Sequence, residues 1–241
     1  MHNTRNDLQA KSKDLRSFLE KIAYCFSLLS VRTTKCLFIH DLWQRELYAY
    51  SMEFRLSTLH KAVFMSENKK ILSNTNFPSA VAGSADISQQ GYYGAKTDRK
   101  IAKEQELRLV FFTRIELKKI CDFEFIFHVT FCNDEIKTNS GEQDTPHYFS
   151  MHAYCDAEKI EIFFMEPEDD DLATLTSYTE GNILIFGFEV NVSGIHGTVS
   201  FKELHSGREL HTFKSVDFSI PLIPMFSVSE PNVAESLIIL V

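Results

Sequence analysis

Strict alternation of apolar and polar residues lets an extended strand bury one face, and this chain alternates over several long stretches. Leu107, Leu109 and Phe111 occupy every second position, then Phe123, Phe125, Phe127, Val129 and Phe131, then Ile160, Ile162 and Phe164. A helix would spread such residues around its circumference, so the spacing predicts antiparallel strands that pack one face against a second sheet. Glu124, His128 and Thr130 are expected to point away from that core. The chain has 21 phenylalanines and is 44% hydrophobic. On this pattern the phenylalanines fill a core rather than cage a ligand.

The C-terminal residues continue the theme in shorter pieces. Gly197 to Phe201, Leu210 to Phe213, Pro221 to Phe226 and Ser236 to Leu240 are apolar clusters bounded by Gly, Pro, Ser or Asp. Such punctuation marks successive strands joined by tight turns.

The order and wording of these clusters resemble the end of a PRY-SPRY domain, the β-sandwich module of tripartite-motif and butyrophilin proteins. The corresponding residues are Gly197-Thr198-Val199-Ser200-Phe201, His211-Thr212-Phe213, Pro221-Leu222-Ile223-Pro224-Met225-Phe226, and Asn232 to Leu237. Upstream, Thr58 to Ile71 resembles the PRY opening. Asn76-Phe77-Pro78 through Gly83-Ser84, followed by Gly91-Tyr92-Tyr93, resembles the family's next two signatures. Gly94-Ala95-Lys96 stands where the family has Trp-Glu-Val, which removes a large apolar anchor. The family's L-D-Y-E strand is replaced by Phe186-Gly187-Phe188-Glu189-Val190.

The resemblance implies an antiparallel sandwich over residues 53–241, preceded by a helical extension over residues 1–52. It further implies a non-catalytic module that recognises a partner protein through loops at one end, with roles such as substrate selection for a ubiquitin ligase or innate-immune sensing.

Within residues 1–52, Leu8, Leu15, Phe18, Leu19, Ile22, Ala23, Phe26 and Leu29 recur at three- and four-residue spacing, the signature of an amphipathic helix. Two arrangements suit it: packing on the sandwich, or a remnant of the dimerising coiled-coil arm that precedes the domain in tripartite-motif proteins. The repeat is short for a coiled coil.

Composition narrows the classes of function. A net charge of -8 opposes nucleic-acid binding, which draws its free energy from cations displacing counterions. The polar Met1–Arg16 segment lacks the apolar core of a secretory signal, and no run reaches the length of a membrane span, so a cytoplasmic location is expected. Five cysteines without a C-x-x-C pair suggest neither a zinc ribbon nor a disulfide framework.

The expected partner-binding residues are Tyr92, Tyr93 and Tyr178, with Glu166, Asp169, Asp170 and Asp171 of an acidic loop. Tyrosine offers area and a hydroxyl at small entropic cost. Clustered carboxylates repel one another until water, a cation or a basic partner relieves them. No cofactor, metal or catalytic residue is expected, since the chain lacks a G-x-S-x-G elbow, a Gly-rich phosphate loop and an H-E-x-x-H motif. The competing expectation is an enzyme or lectin-like small-ligand site in the Cys121–Cys155 region, where His128, His147 and His152 accompany the two cysteines.

Overall fold

The computed structural model describes residues 52–85, 93–118, 124–132, 149–156, 159–165, 170–177 and 183–241, with the backbone alone for 156 and 170–177. They lie in the second of two units of the chain, Tyr50–Val241. The predicted N-terminal helix lies outside the described residues, as do Cys25, Cys36, Cys121, His147, Tyr92 and Tyr178.

Among the described residues the strands are β1 (Phe64–Ser66), β2 (Ile71–Ser73), β3 (Ala80–Ala82), β4 (Gly94–Lys96), β5 (Glu106–Leu117), β6 (Glu124–Cys132) and β7 (Phe149–Asp156). They continue as β8 (Lys159–Met165), β9 (Asp170–Ser177), β10 (Ile183–Ser193), β11 (Thr198–Glu203), β12 (Glu209–Lys214), β13 (Ile223–Val228) and β14 (Ala234–Leu240). They form two antiparallel sheets, ordered β12-β11-β10-β5-β14-β2-β1-β3 and β4-β13-β6-β7-β8-β9. Each of the four C-terminal apolar clusters corresponds to one strand, β11 to β14.

Alternation decides what lies between the sheets. Leu109, Phe111, Ile115 and Leu117 of β5 and Phe188, Val190 and Val192 of β10 point inward from one sheet. Phe127, Val129 and Phe131 of β6, Met151 and Ala153 of β7, and Ile160, Ile162 and Phe164 of β8 point inward from the other. Phenylalanine rings bridge the gap, with centroids 5.8 Å apart for Phe127 and Phe188, 5.3 Å for Phe111 and Phe226, and 6.1 Å for Phe131 and Phe201. Most of these pairs meet edge-on or tilted, the geometry that the ring quadrupole favours.

One phenylalanine departs from the expected face. Phe125 pairs with Tyr154 while Phe127 pairs with Ala153, so the register shifts between them. Ile126 is the extra residue and is fully buried, whereas Phe125 is turned to the outer side beside His128. A bulge inserts one residue and inverts the faces beyond it, which period-two spacing cannot foresee.

Gly94 shows how the sandwich does without the missing tryptophan. A Cβ on Gly94 would lie 1.8 Å from the carbonyl oxygen of Phe226. The β4 backbone therefore rests directly on β13, leaving no room for any side chain. Ala95 and Phe54 are buried there, and the Phe54 ring meets the Phe226 ring edge-on at 5.6 Å. Gly187 has a milder constraint, with the Phe112 ring 2.7 Å from where a Cβ would sit.

Two substitutions test this packing. Gly94→Ala should lower unfolding free energy by about 3 kcal/mol or more, because backbone rather than a flexible side chain must give way. Phe226→Ala should cost about 3–5 kcal/mol through the cavity it leaves. Urea denaturation measures both, and a loss below about 1 kcal/mol for Gly94→Ala would contradict the close β4–β13 approach.

Candidate functional site

Tyr93 stands at the mouth of β4, at one end of the sandwich. Its backbone N–H donates to Ser227 Oγ at 2.9 Å, and its carbonyl accepts from the Val228 N–H at 2.9 Å. Its hydroxyl donates to Glu230 Oε1 at 3.1 Å. The ring meets His60 edge-on at 5.0 Å, and His60 Nδ1 accepts from the Ala62 N–H at 3.1 Å. Burial, the hydrogen bond to Glu230 and that carboxylate's charge all raise the Tyr93 pKa, so the phenol stays protonated and acts as a donor.

A buried knot sets the position of Glu230. Asn74 Nδ2 donates to Ser229 O at 3.0 Å, to Ser229 Oγ at 3.1 Å and to Ala234 O at 2.6 Å. Its Oδ1 accepts from the Ser236 N–H at 3.0 Å, and Ser236 Oγ accepts from the Ser229 N–H at 2.9 Å. One asparagine thus joins the end of β2 to both sides of the β13–β14 turn. That turn cannot shift without breaking several bonds inside the protein, where water cannot replace them.

The expected binding residues that are described lie toward opposite edges of the six-stranded sheet, Tyr93 beside β4 and Asp170 and Asp171 on β9. Tyr93 neighbours Val228 at the end of β13, and Phe127 of β6 pairs with Val228. Following the registers outward, Cys155 pairs with Ile160 and Lys159 pairs with Ser177, so β9 finishes at the Tyr93 end. Tyr178 follows Ser177 in the chain. Asp170 pairs with Met165 and Asp171 with Phe164, at the opposite end of β8. Through the registers Val228, Phe127, Ala153, Ile162 and Ala173 share one level, so Asp171 and Asp170 stand two and three residues further along, at most roughly 10 Å, and are separated from Tyr93 mainly by the four strands between β4 and β9. Asp170 and Asp171 also begin β9 rather than lying in a loop, because the acidic run pairs through its backbone with β8. Glu166 and Asp169 lie outside the described residues.

Sequence reasoning missed three groups of the Tyr93 end. His60 sits inside the stretch that resembles the PRY opening but carried no role. Asn74 and Glu230 are ordinary polar residues in turn-rich segments. The hydrogen bond from the His60 N–H to the Gly94 carbonyl brings His60 to Tyr93, the β4–β13 pairing brings Glu230, and the β2–β14 pairing brings Asn74 to the turn that carries Glu230.

Among the described residues, the cysteines and histidines of the Cys121–Cys155 region lie on different faces of the sheet. Cys155 faces the core and donates through Sγ to Glu124 O at 3.5 Å. His152 lies on the other face, where Nε2 and Ser150 Oγ are 2.8 Å apart. Cys132 is buried with Sγ 3.8 Å from Ile223 O. Among the described residues no three His, Cys, Asp or Glu side chains are placed to hold a metal ion. None of their helices is long and apolar enough to cross a membrane.

The architecture matches known structures although the sequence does not. No sequence-family model matches the chain, and no curated protein sequence matches it. The crystal structure of the TRIM65 PSpry domain is similar over 88% of this chain and 98% of that one, with a TM-score of 0.53 and 13% identity. Stonustoxin is similar over 80% of this chain, which corresponds to 27% of the toxin chain, with a TM-score of 0.52 and 13% identity. The fold is thus a divergent PRY-SPRY sandwich.

Substitutions at the Tyr93 end separate frame from surface. Asn74→Ala strands several buried partners at once and should cost about 2–4 kcal/mol, whereas Tyr93→Phe should change stability by less than about 1 kcal/mol. Denaturant melts of the two variants give the ordering directly, and a reversed order would remove Asn74 as the anchor of this end.

Proposed function

We propose that the chain is a non-catalytic protein-recognition module that binds its partner at the Tyr93 end of the sandwich. The observation that carries this reading is the partly exposed Tyr93–Glu230–His60 group, held in a fixed geometry by the Asn74 knot. A phenol donor, a carboxylate and an aromatic edge on a rigid frame suit a protein surface, because little side-chain entropy remains to be lost on binding. The similarity to PRY-SPRY structures supports a binding module over an enzyme. The partner-selecting part of a ubiquitin-ligase or innate-immune assembly is the cellular role we infer from the family resemblance. Asp170 and Asp171 begin the edge strand β9, on the other side of the sheet from β4, and with Glu166 and Asp169 of the same acidic stretch of sequence they are the residues we propose for a second, basic contact.

Affinity capture from cells with three forms of the full chain tests this assignment: wild type, Tyr93→Ala with Glu230→Ala, and Asp170→Ser with Asp171→Ser. Partners lost only with the first double variant, at unchanged thermal stability, are the expected result. Loss only with the aspartate variant would move recognition to the opposite edge of the sheet. Retention of every partner by both variants would refute recognition at either edge.

A further inference from the structure

On the outer face of the six-stranded sheet, His128 of β6 and His152 of β7 are direct cross-strand partners, with ring centroids 4.9 Å apart. The Phe125 ring lies 5.2 Å from His128, and Tyr154 stacks on His152 at 6.2 Å. Tyr154 in turn meets Phe163 of β8 edge-on at 5.5 Å. An aromatic ladder therefore crosses three strands with two imidazoles in its middle. His128 is only 8% exposed although it faces away from the core, and Thr130, Ser150 and Ser227 on the same face are buried as well.

The described groups around the pair are largely uncharged. Phe125 and Thr130 flank His128 on β6, Ser150 and Tyr154 flank His152 on β7, and Ser227 and Met225 face them from β13. The charged positions sharing this face by register are Asp156 of β7, Glu161 and Lys159 of β8, Asp170 of β9 and Lys96 of β4. Glu161 stands opposite Tyr154 rather than opposite either imidazole.

We propose that His128 and His152 form an acid switch in the sandwich: neutral imidazoles keep the β6–β7 side of the sheet closed, and protonation opens it. Two costs act together. An imidazolium at His128 loses its hydration, and a second positive ring 4.9 Å away repels the first. Burial, then the charge of His152, hold the His128 pKa well below the ordinary imidazole value.

The sign follows from linkage. The unfolded chain takes up the proton near pH 6.5 while the folded chain resists it, so the stabilising contribution is complete above about pH 6.5 and is lost as pH falls below it. One such group changes the unfolding constant by up to about tenfold per pH unit. Opening should begin at β6 and β7, since β7 to β9 form the edge side of this sheet, and not at β5 and β10, which are long strands inside the other sheet.

The test is urea unfolding of the full chain between pH 7.5 and 5.0, wild type beside His128→Phe and His152→Gln, with amide hydrogen exchange of wild type at pH 7.5 and 5.5. We expect the wild-type unfolding constant to rise at least about tenfold more across that range than that of His128→Phe. His152→Gln should fall between them, and β6 and β7 amides should lose protection before those of β5 and β10. Equal pH dependence in wild type and His128→Phe overturns the switch, as does a uniform change in exchange across all strands. Should His128→Phe fail to fold, NMR titration of wild-type His128 decides: a folded-state pKa at or above 6.5 overturns the proposal, and one well below it sustains it.

Discussion

Contact between phenylalanine rings of opposite sheets is the interaction on which the rest of this structure depends. Phe127 on Phe188, Phe111 on Phe226 and Phe131 on Phe201 span the interior and fix the distance between the two sheets. Each ring removes a large apolar area from water and meets its neighbour with a directional preference, so the sheets are aligned as well as held together. Of the strands that carry these rings, β13 also leads into the candidate surface around Tyr93 and Glu230. A cavity at Phe226 would therefore disturb the seat of Tyr93, because β13 supplies both the ring and the Ser227 and Val228 groups that hold Tyr93 in place.

Burying a polar knot beside such a core is costly unless every group is paired, and Asn74 meets that condition with four bonds. The benefit is geometric. Main-chain carbonyls and hydroxyls on both sides of the β13–β14 turn converge on one side chain, which fixes where the turn lies relative to β2. Recognition surfaces on β-sandwiches sit on connections between strands, and those connections are ordinarily the least constrained part of the fold. Here a single buried residue removes that freedom at one end.

Much of this was legible in the sequence, and the exceptions have local causes. The strands β11 to β14 could be read from their apolar clusters and turn residues, because each is short and punctuated, even though β13 and β14 pair with the distant β4, β6, β2 and β5. The inward set of β8 followed from alternation alone. Phe125 did not, because the bulge at Ile126 depends on how β6 meets β7, a non-local fact. The replacement of a large aromatic by Gly94 reads in the sequence as a hole in the core. In three dimensions the backbone of β13 occupies the place where a side chain at position 94 would begin, so the position holds no cavity. At the candidate site, tyrosines and carboxylates were legible as suitable groups, but their grouping was not. Only the strand order shows that Tyr93 and Asp170 belong to opposite edges of the sheet.

That separation bears on how a rigid sandwich uses its charge. An acidic run close to Tyr93 would have given one continuous surface in which phenol and carboxylates acted on a single partner. Four strands, β13, β6, β7 and β8, lie between β4 and the β9 strand that Asp170 and Asp171 begin, and Glu230 supplies a negative charge beside Tyr93. Glu230 is committed to the Tyr93 hydroxyl, so it orients a donor as much as it offers an acceptor. The Tyr93 end is therefore suited to selective, short-range contacts, while the distant acidic run is suited to electrostatic steering of a basic partner, an effect that weakens with salt. A fold whose middle is occupied by phenylalanine can keep these two kinds of surface independent, because nothing in its close-packed interior is free to couple them by small rearrangements.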